Sequence, residues 1–244
     1  MQALQGLENP SSSVRLQAVM AIGTAPDPEY VDRLVERCSV EPDFYVRDML
    51  TWAITRHAVA ETVPRLVGEL GSANPRARSQ ALHTLSKIGD RRAWPAITRE
   101  LLTDPDDETA RTAWRTAVAL APDEDVSVLT AVLVTQLGRG DRETRLSLSR
   151  ALTGLGETIV PALTAAKTDP DPRVRHHALA TERLLHDPDA GFEAAVEEAK
   201  RIVALGPDAP ERPPAEDAGD GSGELQEWGD GSAGTGVVTD GADR

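Results

Sequence analysis

A single cysteine, Cys38, is present, so no internal disulfide can form and no thiolate metal site can be built. Aromatic side chains are scarce, at 4 Trp, 2 Tyr and 2 Phe. A core made mainly of Ala, Leu, Val and Ile calls for thin, closely packed layers, which paired helices supply and a wide sandwich does not. Long hydrophobic runs are missing too. Charges interrupt every apolar stretch well short of the roughly 20 residues of a membrane span. The stretch Met1 to Pro10 lacks the basic-then-apolar order of a signal peptide and carries Glu8 instead. Cytoplasmic residence, with no membrane partner, is the expectation.

Nucleotide and metal motifs are also lacking. Gly138-Arg139-Gly140 has no preceding strand pattern and reads as a turn. The five histidines (His57, His83, His176, His177 and His186) offer no i, i+4 pair with a third ligand. Adjacent His176 and His177 would point roughly 100° apart on a helix. No cofactor, no metal and no catalytic residue is expected. Basic charge is in short supply as well: Lys and Arg number 26 against 40 Asp and Glu, a net of −14. Residues 1–206 hold 24 basic against 30 acidic residues, and 207–244 hold 2 against 10. A mildly acidic body repels phosphate backbones, so no direct nucleic-acid partner is expected.

What is there in abundance is repetition. Arg15, Arg47, Arg78, Arg111, Arg145 and Arg175 stand 32, 31, 33, 34 and 30 residues apart, the length of two helices and two turns. Three residues after each comes Ala18, Leu50, Ala81, Trp114, Leu148 and Ala178. Seven after comes Ile22, Ile54, Leu85, Val118, Leu152 and then Glu182. Offsets of three and seven place these side chains on one face of a helix. The polar Glu182 suits a terminal unit whose outer face has no neighbour.

A second helix is marked by Val63-Pro64, Trp94-Pro95 and Val160-Pro161, with the prolines predicted in the first helical turn. Leu66, Ile97 and Leu163 follow two positions later, facing inward. Gly89 and Gly156 fall where first helices should stop. Asn9-Pro10, Asn74-Pro75, Asp104-Pro105-Asp106 and Asp169-Pro170-Asp171-Pro172 supply caps and stops between units. The expectation is an all-α, right-handed α-solenoid of about six helix–turn–helix repeats: twelve helices, the first of each pair outer and the second inner.

Asp169 through Leu179 and Leu85 through Ile97 closely match an aspartate- and proline-rich turn, a Val-Arg helix, a glycine stop and a Val-Pro helix. This pattern resembles the HEAT repeat family over residues 11 to about 205, with the first and fourth repeats departing by lacking the second-helix proline. The resemblance implies a scaffold or adaptor that binds another protein and has no enzymatic activity. Within the wider HEAT-related group the alternatives are a lyase-like or DNA glycosylase-like enzyme, or an accessory to a transcription regulator. The domain division expected is a solenoid over 1–206 and a disordered, acidic, Gly-, Pro- and Asp-rich tail over 207–244, solubilising, in which Glu224 to Trp228 reads first as an accidental Trp and otherwise as a transient docking island.

Regular recurrence assigns the arginine ladder to structure, each guanidinium bonding a neighbouring turn. Candidate partner-binding residues are Arg33, Glu36 and Arg37, then Arg65 and Glu69, then Arg99 and Glu100. They form a mixed-charge strip on the second helices, read either as a protein-binding face or as a solvated face laced with weak ion pairs. Trp52, outward and one turn from Arg56, reads either as an interface anchor or as a cation–π partner of that arginine. Trp94, Trp114, Phe44 and Tyr45 are expected in the core, and Cys38 as a small buried hydrophobe.

Overall fold

Asp43, Asn74, Asp106, Asp141 and Asp171 each stand one residue ahead of a helix, and each accepts a bond from a backbone N–H two or three residues on, at 2.8–3.1 Å. These side chains satisfy amide donors that have no partner inside the helix. They begin five of the six first helices. The exception is the helix after Asn9-Pro10, where Asn9 accepts from Ser11 N at 2.9 Å and Ser11 itself makes no capping bond.

A computed structural model describes residues 2–187 and 191–205. A short helix α1 (Gln2–Gly6) precedes six pairs: α2 (Ser12–Thr24) and α3 (Val31–Val40); α4 (Phe44–Thr55) and α5 (Val59–Glu69); α6 (Pro75–Ile88) and α7 (Arg99–Leu102); α8 (Asp107–Leu120) and α9 (Val126–Leu133); α10 (Arg142–Thr153) and α11 (Val160–Ala166); α12 (Pro172–His186) and α13 (Phe192–Leu205). No strand occurs among the described residues. The architecture is an α-solenoid, with α1 in addition to the twelve helices expected. The acidic tail and its Trp228 island lie outside the described residues.

The core follows the arginine register. Ala18, Leu50, Ala81, Trp114, Leu148 and Ala178 are buried, as are Ile22, Ile54, Leu85 and Leu152. Val118 and Glu182 are half-buried, and Glu182 accepts from Lys167 Nζ at 2.7 Å. Leu66, Ile97 and Leu163 close the core from the second helices.

Three details differ from expectation. Helix α5 starts at Val59, so Pro64 lies well inside it. In the third repeat, Asp90 caps a 3-10 segment over Arg91–Ala96 that contains Pro95. Its ring cannot donate to the carbonyl four residues earlier. The chain leaves helical space at Ile97 and Thr98, with ψ of 82° and 165°, before the single turn of α7. Gly89 ends α6 in the left-handed region at φ 72°, as expected, whereas Gly156 opens a 3-10 segment after α10 has stopped.

Short hydroxyl side chains line the contacts between successive first helices. Ser79 Oγ lies 3.2 Å from Thr112 Oγ1, Ser149 Oγ 2.8 Å from Thr181 Oγ1, and Thr51 Oγ1 3.5 Å from Thr84 Oγ1. Thr116 Oγ1 donates to Leu82 O at 3.0 Å. Small side chains let backbones approach closely, and the first helices pack on one another from α2 to α12 more extensively than the second helices do. Across the second helices the links are long arginine–carboxylate pairs, such as Arg65 to Asp32 at 2.9 Å. The closely spaced layer is the one on the inside of a bend. The layering is therefore the reverse of that expected: first helices inner, second helices outer.

Candidate protein-binding groove

Each ladder arginine sits one turn into a first helix, close to the turn before it. Arg15 donates through Nη1 to Asn9 O and Pro10 O, Arg47 to Glu41 O and Pro42 O, and Arg175 to Asp169 O and Pro170 O, at 2.7–2.9 Å. Arg78 and Arg145 each reach one such carbonyl. Arg15 and Arg78 also reach forward 26 residues, to Glu41 and Asp104. Arg37 joins Arg15 on Glu41 at 2.8 Å. Burial opposes the charge on Glu41, but the bonds from Arg15, Asp43 N and Arg37 outweigh it and hold the carboxyl down at about 2. Five of the six ladder arginines thus bond the turn before them; Arg111 departs, reaching Glu143 at 3.5 Å and Glu108 at 3.9 Å instead.

The mixed-charge strip breaks into separate ion-pair groups. Arg33 meets Glu36 at 3.0 Å and Glu8 at 3.2 Å. Arg37 pairs with buried Glu41 at 2.8 Å and shares Glu8 with Arg33, at 3.4 Å, while Arg65 meets Asp32 and Glu69. Arg99 and Glu100 are exposed on α7. These seven residues are not drawn together into one site.

Trp52 is 37 % exposed, and its ring covers Gly23 of α2 so closely that an added Cβ there would fall 2.2 Å from Cζ3. It is a packing contact between the first two repeats. The cation–π contact found is a different one, Arg47 over the Phe44 ring at 5.9 Å. Trp114 is buried and donates from Nε1 to Leu102 O at 2.8 Å. Trp94 is half-buried and donates to Asp125 at 2.6 Å. Cys38 is buried and its thiol is pushed up to about 12 by that burial, far from nucleophilic. Among the described residues no group of three His, Cys, Asp or Glu is placed to hold a metal ion.

Phe44 and Tyr45 are not in the core. They are 66 % and 73 % exposed and meet edge to face, with centroids 5.7 Å apart. They occupy the first turn of α4, three and two residues before Arg47, where the side chain projects past the end of the inner layer. The register itself carries the signal. Three before the other ladder arginines stand Ser12, Pro75, Glu108, Arg142 and Pro172, none of them a core residue.

Phe44 forms one wall of a cavity of about 300 Å³ on the first helices of the second to fourth repeats. It is lined by Arg47, Asp48 and Thr51 on α4, Ser79, Gln80 and His83 on α6, and Glu108, Thr112 and Arg115 on α8. A neighbouring cavity of about 710 Å³ shares Arg47, Ser79, Gln80 and Glu108 and extends past Arg76 to Val40, itself 56 % exposed. Together they make a groove on the inner layer, with exposed Phe44 on one part of its lining, Val40 on the other, and Tyr45 against Phe44. His83 is held below its ordinary value, first by burial and then by Lys87 and Arg115, against Asp48 and Glu108. Arg47, Arg76 and Arg115 bond only to neutral oxygens among the described residues: Glu41 O and Pro42 O, Glu41 O, and Thr112 Oγ1.

The sequence of residues 31–119, which spans this groove, matches the family model for HEAT repeats. Residues 31–119 are HEAT repeats. The HEAT architecture is similar to that of Kap121p in two solved structures. A Kap121p mutant aligns at a TM-score of 0.56 and 14 % identity, over 84 % of this chain and 26 % of that one. Kap121p bound to Ste12p aligns at 0.54 and 16 % identity, over 82 % and 25 %. This chain thus spans about a quarter of Kap121p. The CpcE–CpcF phycocyanin lyase complex of Nostoc sp. PCC7120 aligns at 0.44 and 16 % identity, over 85 % and 88 %. No curated protein matches the chain by sequence. No helix among the described residues is long and apolar enough to cross a membrane.

Proposed function

We propose that this chain is a non-catalytic adaptor that binds another protein along the inner, first-helix layer of its HEAT repeats, at the groove between α4, α6 and α8. One observation carries the reading: an exposed aromatic pair, Phe44 and Tyr45, stands beside arginines that meet no carboxylate among the described residues. Aromatic and arginine side chains are the residues that anchor protein interfaces. Exposed apolar surface of this kind marks interaction sites in otherwise polar proteins. The second-helix strip is the weaker site, because Arg33, Arg37 and Arg65 already have carboxylate partners within the chain. Kap121p, a HEAT-like solenoid, is seen bound to Ste12p, and binding along a solenoid's concave face is general to such stacks.

The test is site-specific photo-crosslinking in the protein's own host. A benzophenone amino acid at Tyr45 is expected to give a discrete adduct with a second protein, and the same probe at Arg33 or Arg99 is not. Adducts confined to the strip would return the interface to the second helices. Equal labelling from every position would remove the groove.

A further inference from the structure

We infer that the groove accepts an acidic segment of the partner, one carrying an aliphatic or aromatic residue among its carboxylates; this rests on the protein-binding reading above. Charge is segregated along the stack. Residues 44–103 hold nine Lys and Arg against five Asp and Glu, whereas 1–43 hold three against seven and 104–170 hold seven against eleven. The second and third repeats are a positive band between two negative ones. Summed over the surface, such a field draws an anion to the band and turns it away on either side.

Chemistry inside the groove points the same way. Arg76 spends one donor on Glu41 O at 3.4 Å, and Arg115 one on Thr112 Oγ1 at 3.1 Å. Both side chains are exposed, and a guanidinium has five N–H groups arranged to match a carboxylate. On the second helices the contrast is plain, since Arg37 and Arg65 are each held by carboxylates of their own chain. Beside these cations, exposed Phe44 and Val40 on the groove lining, with Tyr45 against Phe44, offer apolar area that an aliphatic or aromatic side chain would cover. A long polyanion such as nucleic acid fits poorly. It would run onto the acidic bands at both ends and meet Asp48 and Glu108 within the groove. A short acidic stretch of polypeptide stops short of those bands, and it can set its apolar residue rather than a carboxylate against Asp48 and Glu108.

Fluorescence anisotropy with the full chain tests this, using three labelled probes of equal length: a peptide of Glu, Leu and Trp, its counterpart with Lys in place of Glu, and oligothymidylate. The acidic peptide is expected to bind at least about tenfold more tightly than the Lys peptide, with the preference fading at high ionic strength. The double variant Arg76→Glu, Arg115→Glu should lose that preference while keeping its helical signal and melting midpoint. Arg33→Glu, outside the groove, should keep it. Tighter binding of the Lys peptide, equal binding of oligothymidylate, or binding of none of the three would overturn the inference. If crosslinks from Tyr45 persist in that event, the groove remains an interface of a different chemistry; if they too are lost, both readings fall.

Discussion

Arg78 holds Asp104 through two parallel N–H···O bonds of 2.9 and 3.0 Å, tying the first helix of the third repeat to the turn that opens the fourth. Arg15 and Glu41 repeat the arrangement two repeats earlier, again 26 residues apart. Such a pair orders two turns at once, because Asp104 also accepts from Asp106 N at 2.9 Å and Glu41 from Asp43 N at 2.9 Å.

Asp104→Ala should therefore be strongly destabilising. It leaves the largely buried Arg78 guanidinium facing an empty turn, at a cost of about 3 kcal/mol. Urea unfolding followed by circular dichroism measures it. Arg92→Ala, which removes an exposed pair with Asp90, should leave the midpoint where it was. Equal effects from the two substitutions would show that the buried pair has no special weight.

Acid should act in two windows. His177 is buried, with Nδ1 accepting from Gly138 N at 3.0 Å and Nε2 within 3.0 Å of Ser149 Oγ and Arg145 O. Burial is the main reason its imidazole stays neutral down to about 4 rather than 6.5. As pH falls through 6.5 the unfolded chain takes up a proton that the folded chain refuses. Stability is thus complete above 6.5 and declines toward 4, by about 3 kcal/mol in all. His177→Gln should flatten that decline, as seen in midpoints measured across the range. Glu41 acts lower down. Its folded carboxyl titrates near 2 against an ordinary 4.5, so its contribution is present above 4.5 and is lost as pH falls from there toward 2.

Gly23→Ala should cost roughly 1–3 kcal/mol, since the new methyl must displace the Trp52 ring. Tryptophan fluorescence should shift with it. Adding Trp52→Ala should recover part of the loss, and strictly additive effects in the double-mutant cycle would refute the contact.

Phe44→Ser combined with Tyr45→Ser should leave the melting midpoint nearly unchanged, within about 0.5 kcal/mol, because neither ring is in the core. Crosslinking of a partner from a probe placed at Arg76 should nevertheless be lost. A variant that unfolds would show the pair to be structural.

Much of this arrangement is legible in the order of residues. An arginine every 30 to 34 positions, with an apolar side chain three later and, in the first five units, another seven later, places the first helices and their buried face. The capping residues mark where five of those helices begin. The groove is harder to read, for physical reasons. Aromatic residues tend to be buried, yet Phe44 and Tyr45 are exposed on the first turn of α4. Only comparison with Ser12, Pro75 and Glu108 at the equivalent place reveals this. Which layer lies inside depends on how near two backbones come. That depends in turn on small hydroxyl residues such as Ser79 and Thr112, which carry no strong signal in isolation. The break at Ile97 and Thr98 is hidden because a proline fits a first turn or a 3-10 segment equally well.

The hydroxyl contacts between first helices also bear on mechanics. Thr84, Thr112, Thr116 and Thr181 each keep a bond to a carbonyl of their own helix, four residues back. If one helix slides by a fraction of an ångström past the next, no polar group is stranded; a weak link lengthens and another shortens. Ion-paired outer helices resist such slippage more stiffly. A small slip between first helices would thus leave each repeat's own bonding intact.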